Sequence, residues 1–163
     1  MATNTYEPIA SNTLATAVST ITFSSIADTY TDLILVFTGT AATATYTGIQ
    51  FNGDNAINYS YTQVHGNGTS ALSGRSSNST EIFTSSSNTV TTSQSVMLVN
   101  IQNYANTNTY KTVLIRNSNA AVETAAAVGL WRSTSAITSV TVKTPGTNFA
   151  VGSTFTLSVI TAA

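Results

Sequence analysis

Charge is scarce in this chain. Only 7% of its 163 residues are charged, against roughly a quarter in an average soluble protein. Five Lys and Arg stand against six Asp and Glu, for a net charge of −1. No basic stripe is present to neutralise phosphates, so nucleic-acid binding by electrostatics is excluded. Cysteine is absent, which removes disulfides, thiol catalysis and cysteine-ligated zinc together. A single histidine and six carboxylates leave few parts for acid–base chemistry, and no metal site or cofactor is expected. Long apolar runs are missing too. The longest, Leu33 to Phe37, is five residues, far short of the ~20 that span a bilayer as a helix, so no membrane partner is expected. The start, Met1-Ala2-Thr3-Asn4-Thr5-Tyr6, has neither positive charge nor an apolar stretch and does not read as a signal peptide.

What fills the chain instead is neutral polarity: 32 Thr, 21 Ser and 15 Asn beside a 42% hydrophobic fraction. The length suits one domain with a substantial core. Thr is β-branched, and seven Tyr and six Phe add further strand formers. No window carries apolar residues at three- and four-residue spacing between Glu, Lys and Arg. Ala clusters leave two helical doubts, at 12–18 and 119–128. The second reads as a loop entering the strand Val128 to Arg132. Other strands are expected at Val18–Phe23, Asp32–Thr38, Tyr46–Asn52, Tyr59–His65, Gln94–Tyr104, Thr109–Asn117, Ile137–Lys143 and Thr154–Ile160. A weaker one sits around Glu81–Phe83, and Thr5–Ile9 can pair at an edge. Leu33–Phe37 is apolar on both faces, as in a strand covered on each side. Ala105–Asn108 reads as a hairpin connection of about four residues. Many short strands without helices indicate an all-β, jelly-roll-like β-sandwich in a single domain, 1–163. Two segments stand apart: an N-terminal arm, 1–10, and a Ser/Thr-rich long loop or edge region, 67–95. The latter is either one or two edge strands with hydroxyl-bearing faces or an arm fixed on a neighbour.

The chemical motifs are thin. His65 ends a strand before Gly66-Asn67-Gly68, and a triad would require an acid such as Asp54 and a nucleophile to converge on it. No Gly-x-Ser-x-Gly elbow is present, and a structural histidine explains the residue as well. Asn52-Gly53-Asp54-Asn55 has the look of a small calcium loop, but one carboxylate is too few for that ion. A tight turn with Gly53 at positive φ accounts for it. Tyr59, Tyr61, Tyr104, Tyr110 and Trp131 could offer flat rings to a sugar, or fill the core. Tyr59 and Tyr61 share a strand face, so they are buried or presented together. Catalysis is not expected.

Several segments, in order and nearly end to end, resemble a group of small tailed-bacteriophage virion proteins. They are Tyr6-Glu7-Pro8-Ile9-Ala10, Tyr30-Thr31-Asp32-Leu33, Phe51-Asn52-Gly53-Asp54 with Asn58-Tyr59-Ser60, Gly66-Asn67-Gly68, and Asn103-Tyr104 with Tyr110-Lys111-Thr112. The later ones are Gly129-Leu130-Trp131-Arg132-Ser133 and Phe149 with Gly152-Ser153-Thr154-Phe155. The end departs from that pattern, with Leu157-Ser158-Val159-Ile160 where Leu-Tyr-Gly-Ile is expected. The resemblance implies a non-enzymatic jelly-roll component of the virion, made in the host cytoplasm. The leading expectation is a capsid decoration or cement protein, a homotrimer bridging major capsid subunits. The alternative is a receptor-binding or carbohydrate-binding module of a tail or head fibre. Tyr6, Pro8, Tyr59, Tyr61, Trp131 and Arg132 are the expected partner contacts, since Trp, Tyr and Arg carry binding energy disproportionately.

Overall fold

The computed structural model describes residues 6–85 and 89–160. Twelve strands cover them: β1 (Tyr6–Thr13), β2 (Thr20–Phe23), β3 (Asp32–Gly39), β4 (Gly48–Phe51), β5 (Tyr59–Gly66), β6 (Ala71–Ser79), β7 (Ile82–Phe83), β8 (Ser95–Ile101), β9 (Lys111–Asn119), β10 (Glu123–Trp131), β11 (Val140–Lys143) and β12 (Thr154–Ile160). All ladders are antiparallel. They form a sheet of eight, ordered β1-β12-β3-β8-β9-β10-β5-β6, and a sheet of four, ordered β2-β11-β4-β7.

Eight of these strands reproduce the jelly roll. The run β1-β12-β3-β8 faces β2-β11-β4-β7, and the chain changes sheet at each successive strand except from β4 to β7. Two nested Greek keys have this order. Two hairpins are inserted, β5-β6 between β4 and β7, and β9-β10 between β8 and β11. Both join the larger sheet and double its width.

Alternation sets what lies between the layers. Leu33, Leu35 and Phe37 of β3, Met97 and Val99 of β8, Val113 and Ile115 of β9, and Phe155, Leu157 and Val159 of β12 point inward and are buried. Val140 and Val142 of β11 and Ile49 and Phe51 of β4 meet them from the smaller sheet in the same apolar cluster. Phe37, Phe149 and Phe155 pack as a trio with centroids 4.8–5.3 Å apart. Gly129 lets β7 approach β10, because a Cβ there would lie 2.5 Å from Ile82 Cγ2.

Most expected strands are present, Thr154–Ile160 with the same bounds. Three expectations need correction. The Ala-rich stretch before Val128 is no loop, since β10 starts at Glu123 and is paired on both sides by β9 and β5. The link from β8 to β9 spans residues 102–110, longer than a tight hairpin turn. Residues 6–10 of the expected arm belong to β1, bonded along β12, while 1–5 lie outside the described residues. The 67–95 region follows the edge-strand reading. Its β6 closes one edge of the large sheet and β7 one edge of the small sheet, with 86–88 outside the described residues.

Leu33, Leu35 and Phe37 face the smaller sheet, while Ile34, which is buried, and half-buried Val36 project to the other side of the large sheet.

Candidate protein-binding face

The residues expected to contact partners fall in very different places. Tyr59 and Trp131 are 0% and 2% exposed. They stack at 6.3 Å between the sheets, with Phe51 5.6 Å from the indole. Their areas are spent on the core, so they are no partner anchors. Tyr61 is half-buried against Phe83 at 5.2 Å. Burial pushes the phenol of Tyr59 up to about 12 and also raises Tyr61 and Tyr104. These rings therefore do not form an exposed stacking platform for sugar. Arg132 is held at home, donating to Ile57 O at 2.6 Å and Ser77 O at 2.9 Å. Its charge clamps the loop before β5 to β6. Of the six, only Tyr6 and Pro8 stand exposed.

The polar motifs resolve as structure. Asn52 and Gly53 both have positive φ, 53° and 67°, and Asp54 N–H returns to Phe51 O at 2.9 Å, as in a type I′ turn. Asp54 then accepts from Ala56 N, Asn58 Nδ2 and Trp131 Nε1 at 2.9, 2.9 and 2.7 Å. Burial alone would raise its pKa, but these bonds outweigh it and hold the carboxyl below the usual range. His65 lies at the far end of β5, roughly 20 Å along the strand from this turn. The two cannot form one catalytic pair. His65 is itself buried, as are Ser85 and Glu123, which are joined at 2.6 Å. Among the described residues no three His, Asp or Glu side chains group to hold a metal.

The feature that motif reading missed is the outer face of the eight-stranded sheet. Cross-strand register fixes its rows, because paired residues share a face. One row runs Val36–Leu98–Arg116–Ala126–Val64 and the next Ile34–Asn100–Leu114–Val128–Thr62–Arg75. Val64, Val96, Leu114 and Val128 are exposed there. Over β6, β5, β10 and β9 the face forms a trough with an open concavity of about 600 Å³, whose lining includes Val64, Leu72, Arg116, Ser118, Thr124 and Ala126. A second concavity of about 290 Å³, bordered by Arg75 and Val128, continues it. Apolar Val64, Leu114, Ala126 and Val128 are set there among Thr62, Ser73, Ser118, Thr124, Arg75 and Arg116. The signal was present in sequence as strands apolar on both faces, Leu33–Phe37 and Val96–Val99. The width of the patch was not, since it depends on the inserted hairpins.

The charges around this face are sorted. Lys111 is buried, its ammonium bonded to Thr109 O and Thr134 O at 3.0 and 3.2 Å and its pKa lowered by burial. Lys143 pairs with Glu81 at 2.6 Å. Arg75 and Arg116 are the cations without a hydrogen-bond or ion-pair partner among the described residues, and both lie on the trough. No protein-family model matches the chain, and no curated protein matches it.

Proposed function

We propose that this chain is a structural protein of a tailed-bacteriophage particle, most specifically a homo-oligomeric decoration or cement protein of the capsid. The observation that carries this reading is the uncovered apolar outer face of the widened sheet. Exposed Val64, Val96, Leu114 and Val128 on a chain with 7% charge favour burial against another protein surface. The jelly-roll order supports the reading, because this sandwich recurs in capsid proteins, and so does the resemblance carried from Tyr6 to Phe155. The work is mechanical. Each copy adds buried area across a junction, and repetition over a symmetric shell multiplies a weak contact.

Copy number tests it. Quantitative mass spectrometry of purified virions is expected to find this chain at roughly hundreds of copies per particle, as shell symmetry requires. A dozen copies or fewer would move it to a fibre.

A further inference from the structure

We infer that Asn67, at the tip of the β5–β6 hairpin, is a site of spontaneous covalent modification. Its side-chain amide is lost to the backbone nitrogen of Gly68 through a cyclic imide, which leaves an aspartate or isoaspartate at this position. The inference goes beyond the structural-protein reading and is independent of it.

The chain holds two Asn-Gly pairs, Asn52-Gly53 and Asn67-Gly68, and the fold treats their amides differently. Asn52 is engaged at both ends of its side chain. Its Nδ2 donates to Ala136 O at 2.7 Å, and its Oδ1 accepts from Thr138 N and Ser139 N at 2.8 and 3.1 Å. Turning this amide toward Gly53 would break the bonds that tie the turn to the segment before β11. At the other pair the whole tip, 67–70, is exposed. Asn67 Oδ1 accepts from the N–H groups of Thr69 and Ser70 at 3.0 and 2.8 Å, an Asx arrangement. Its Nδ2 and the N–H of Gly68 have no partner among the described residues. Gly68 has φ of +84°, and no atom lies within 4 Å of where its Cβ would stand. The attacking nitrogen and the leaving nitrogen are therefore both open to water, while the carbonyl between them is polarised.

The chemistry needs only water and hydroxide. Hydroxide removes the Gly68 amide proton, and that nitrogen attacks Cγ of Asn67. Negative charge develops on Oδ1, where the Thr69 and Ser70 N–H groups already point, as donors do in an oxyanion hole. The Cγ–Nδ2 bond then breaks, and Nδ2 takes a proton from water and leaves as ammonia. Water next adds to one carbonyl of the imide. Addition at Cγ breaks its bond to the Gly68 nitrogen and gives aspartate. Addition at the backbone carbonyl of Asn67 gives isoaspartate, with the chain running through Cβ and Cγ. In sum an amide and water become a carboxylate and ammonium. The new negative charge joins a chain of net charge −1, at a tip that borders a concavity with Ser118 and Thr124.

Peptide mapping by mass spectrometry, on the purified full-length chain aged in buffer, follows both pairs at once. Asn67 is expected to convert at least about tenfold faster than Asn52. Its rate should rise as the pH is raised from about 7 to about 8.5, because hydroxide takes the amide proton. In about 8 M urea the two positions should convert at similar rates, since the fold and not the dipeptide separates them. Asn67→Gln should remove the acidic species that isoelectric focusing resolves from the aged wild type. Equal rates at the two positions in the folded chain would overturn the inference, as would conversion confined to Asn52. So would an Asn67 that stays intact in the folded chain yet converts in urea, because the Thr69 and Ser70 bonds would then lock the amide instead of activating it.

Discussion

The indole N–H of Trp131 donates to Asp54 Oδ2 across 2.7 Å, tying the end of β10 to the turn that follows β4. The same carboxylate caps Ala56 and holds Asn58, while Tyr59 OH donates to Asp54 O at 3.0 Å. One acid thus organises the whole 52–59 connection.

Asp54→Ala is expected to cost about 1–3 kcal/mol at pH 7, because a buried indole N–H loses its acceptor. The pH dependence has a definite sign. A carboxyl held below its ordinary pKa contributes stability above about pH 4, lost as pH falls through the lowered value. Urea melts at pH 7 and pH 3 should show the gap between wild type and variant narrowing at the lower pH. An unchanged gap would mean that the charge contributes nothing.

Alkali should act through Tyr59. Its phenol, raised to about 12 by burial, favours the folded state fully below about pH 10, and that contribution is lost as pH rises toward 12. Tyr59→Phe is expected to flatten this dependence while costing about 1 kcal/mol at neutral pH, from the bonds to Phe51 N and Asp54 O. Denaturation midpoints from pH 8 to pH 11.5 read both effects, and parallel curves for the two proteins would count against the assignment.

Gly129→Ala should destabilise by about 1–3 kcal/mol, since its new methyl would overlap Ile82. Ile82→Ala should be costly alone, yet the double variant should be more stable than the two losses added together. A double-mutant cycle with no coupling would show that β7 relaxes away from β10 at no cost.

On the outer face, Leu114→Ser and Val128→Ser are each expected to change monomer stability by about 0.5 kcal/mol or less, as exposed sites do. Together they should abolish assembly. Because apolar area carries the contact, raising NaCl from low to about 1 M should weaken assembly less than tenfold. Release of the protein by salt alone would show that the few charges dominate.

Much of the architecture was legible because alternation is a local property. Asp32–Gly39 and Thr154–Ile160 declare themselves by β-branched and aromatic residues at every other position. The front of β10 did not, since Glu123-Thr124-Ala125-Ala126-Ala127 has weak intrinsic strand preference and is held extended by neighbours on both sides. Farther along the same strand Gly129 is required because Ile82 crosses close above it. The fate of Trp131 and Tyr59 was equally hidden. An aromatic ring serves core or interface alike, and only the distant pairing of β10 with β5 decides which. Tyr6 and Pro8, by contrast, stand exposed on the edge strand β1.

The most direct measurement is a cryo-electron microscopy map of the particle that contains this chain. The account predicts the jelly roll at many symmetry-equivalent positions on the shell, with Val64, Leu114 and Val128 covered by protein in each copy. Density confined to tail or fibre tips, or shell copies whose outer face lies open to solvent, would contradict it.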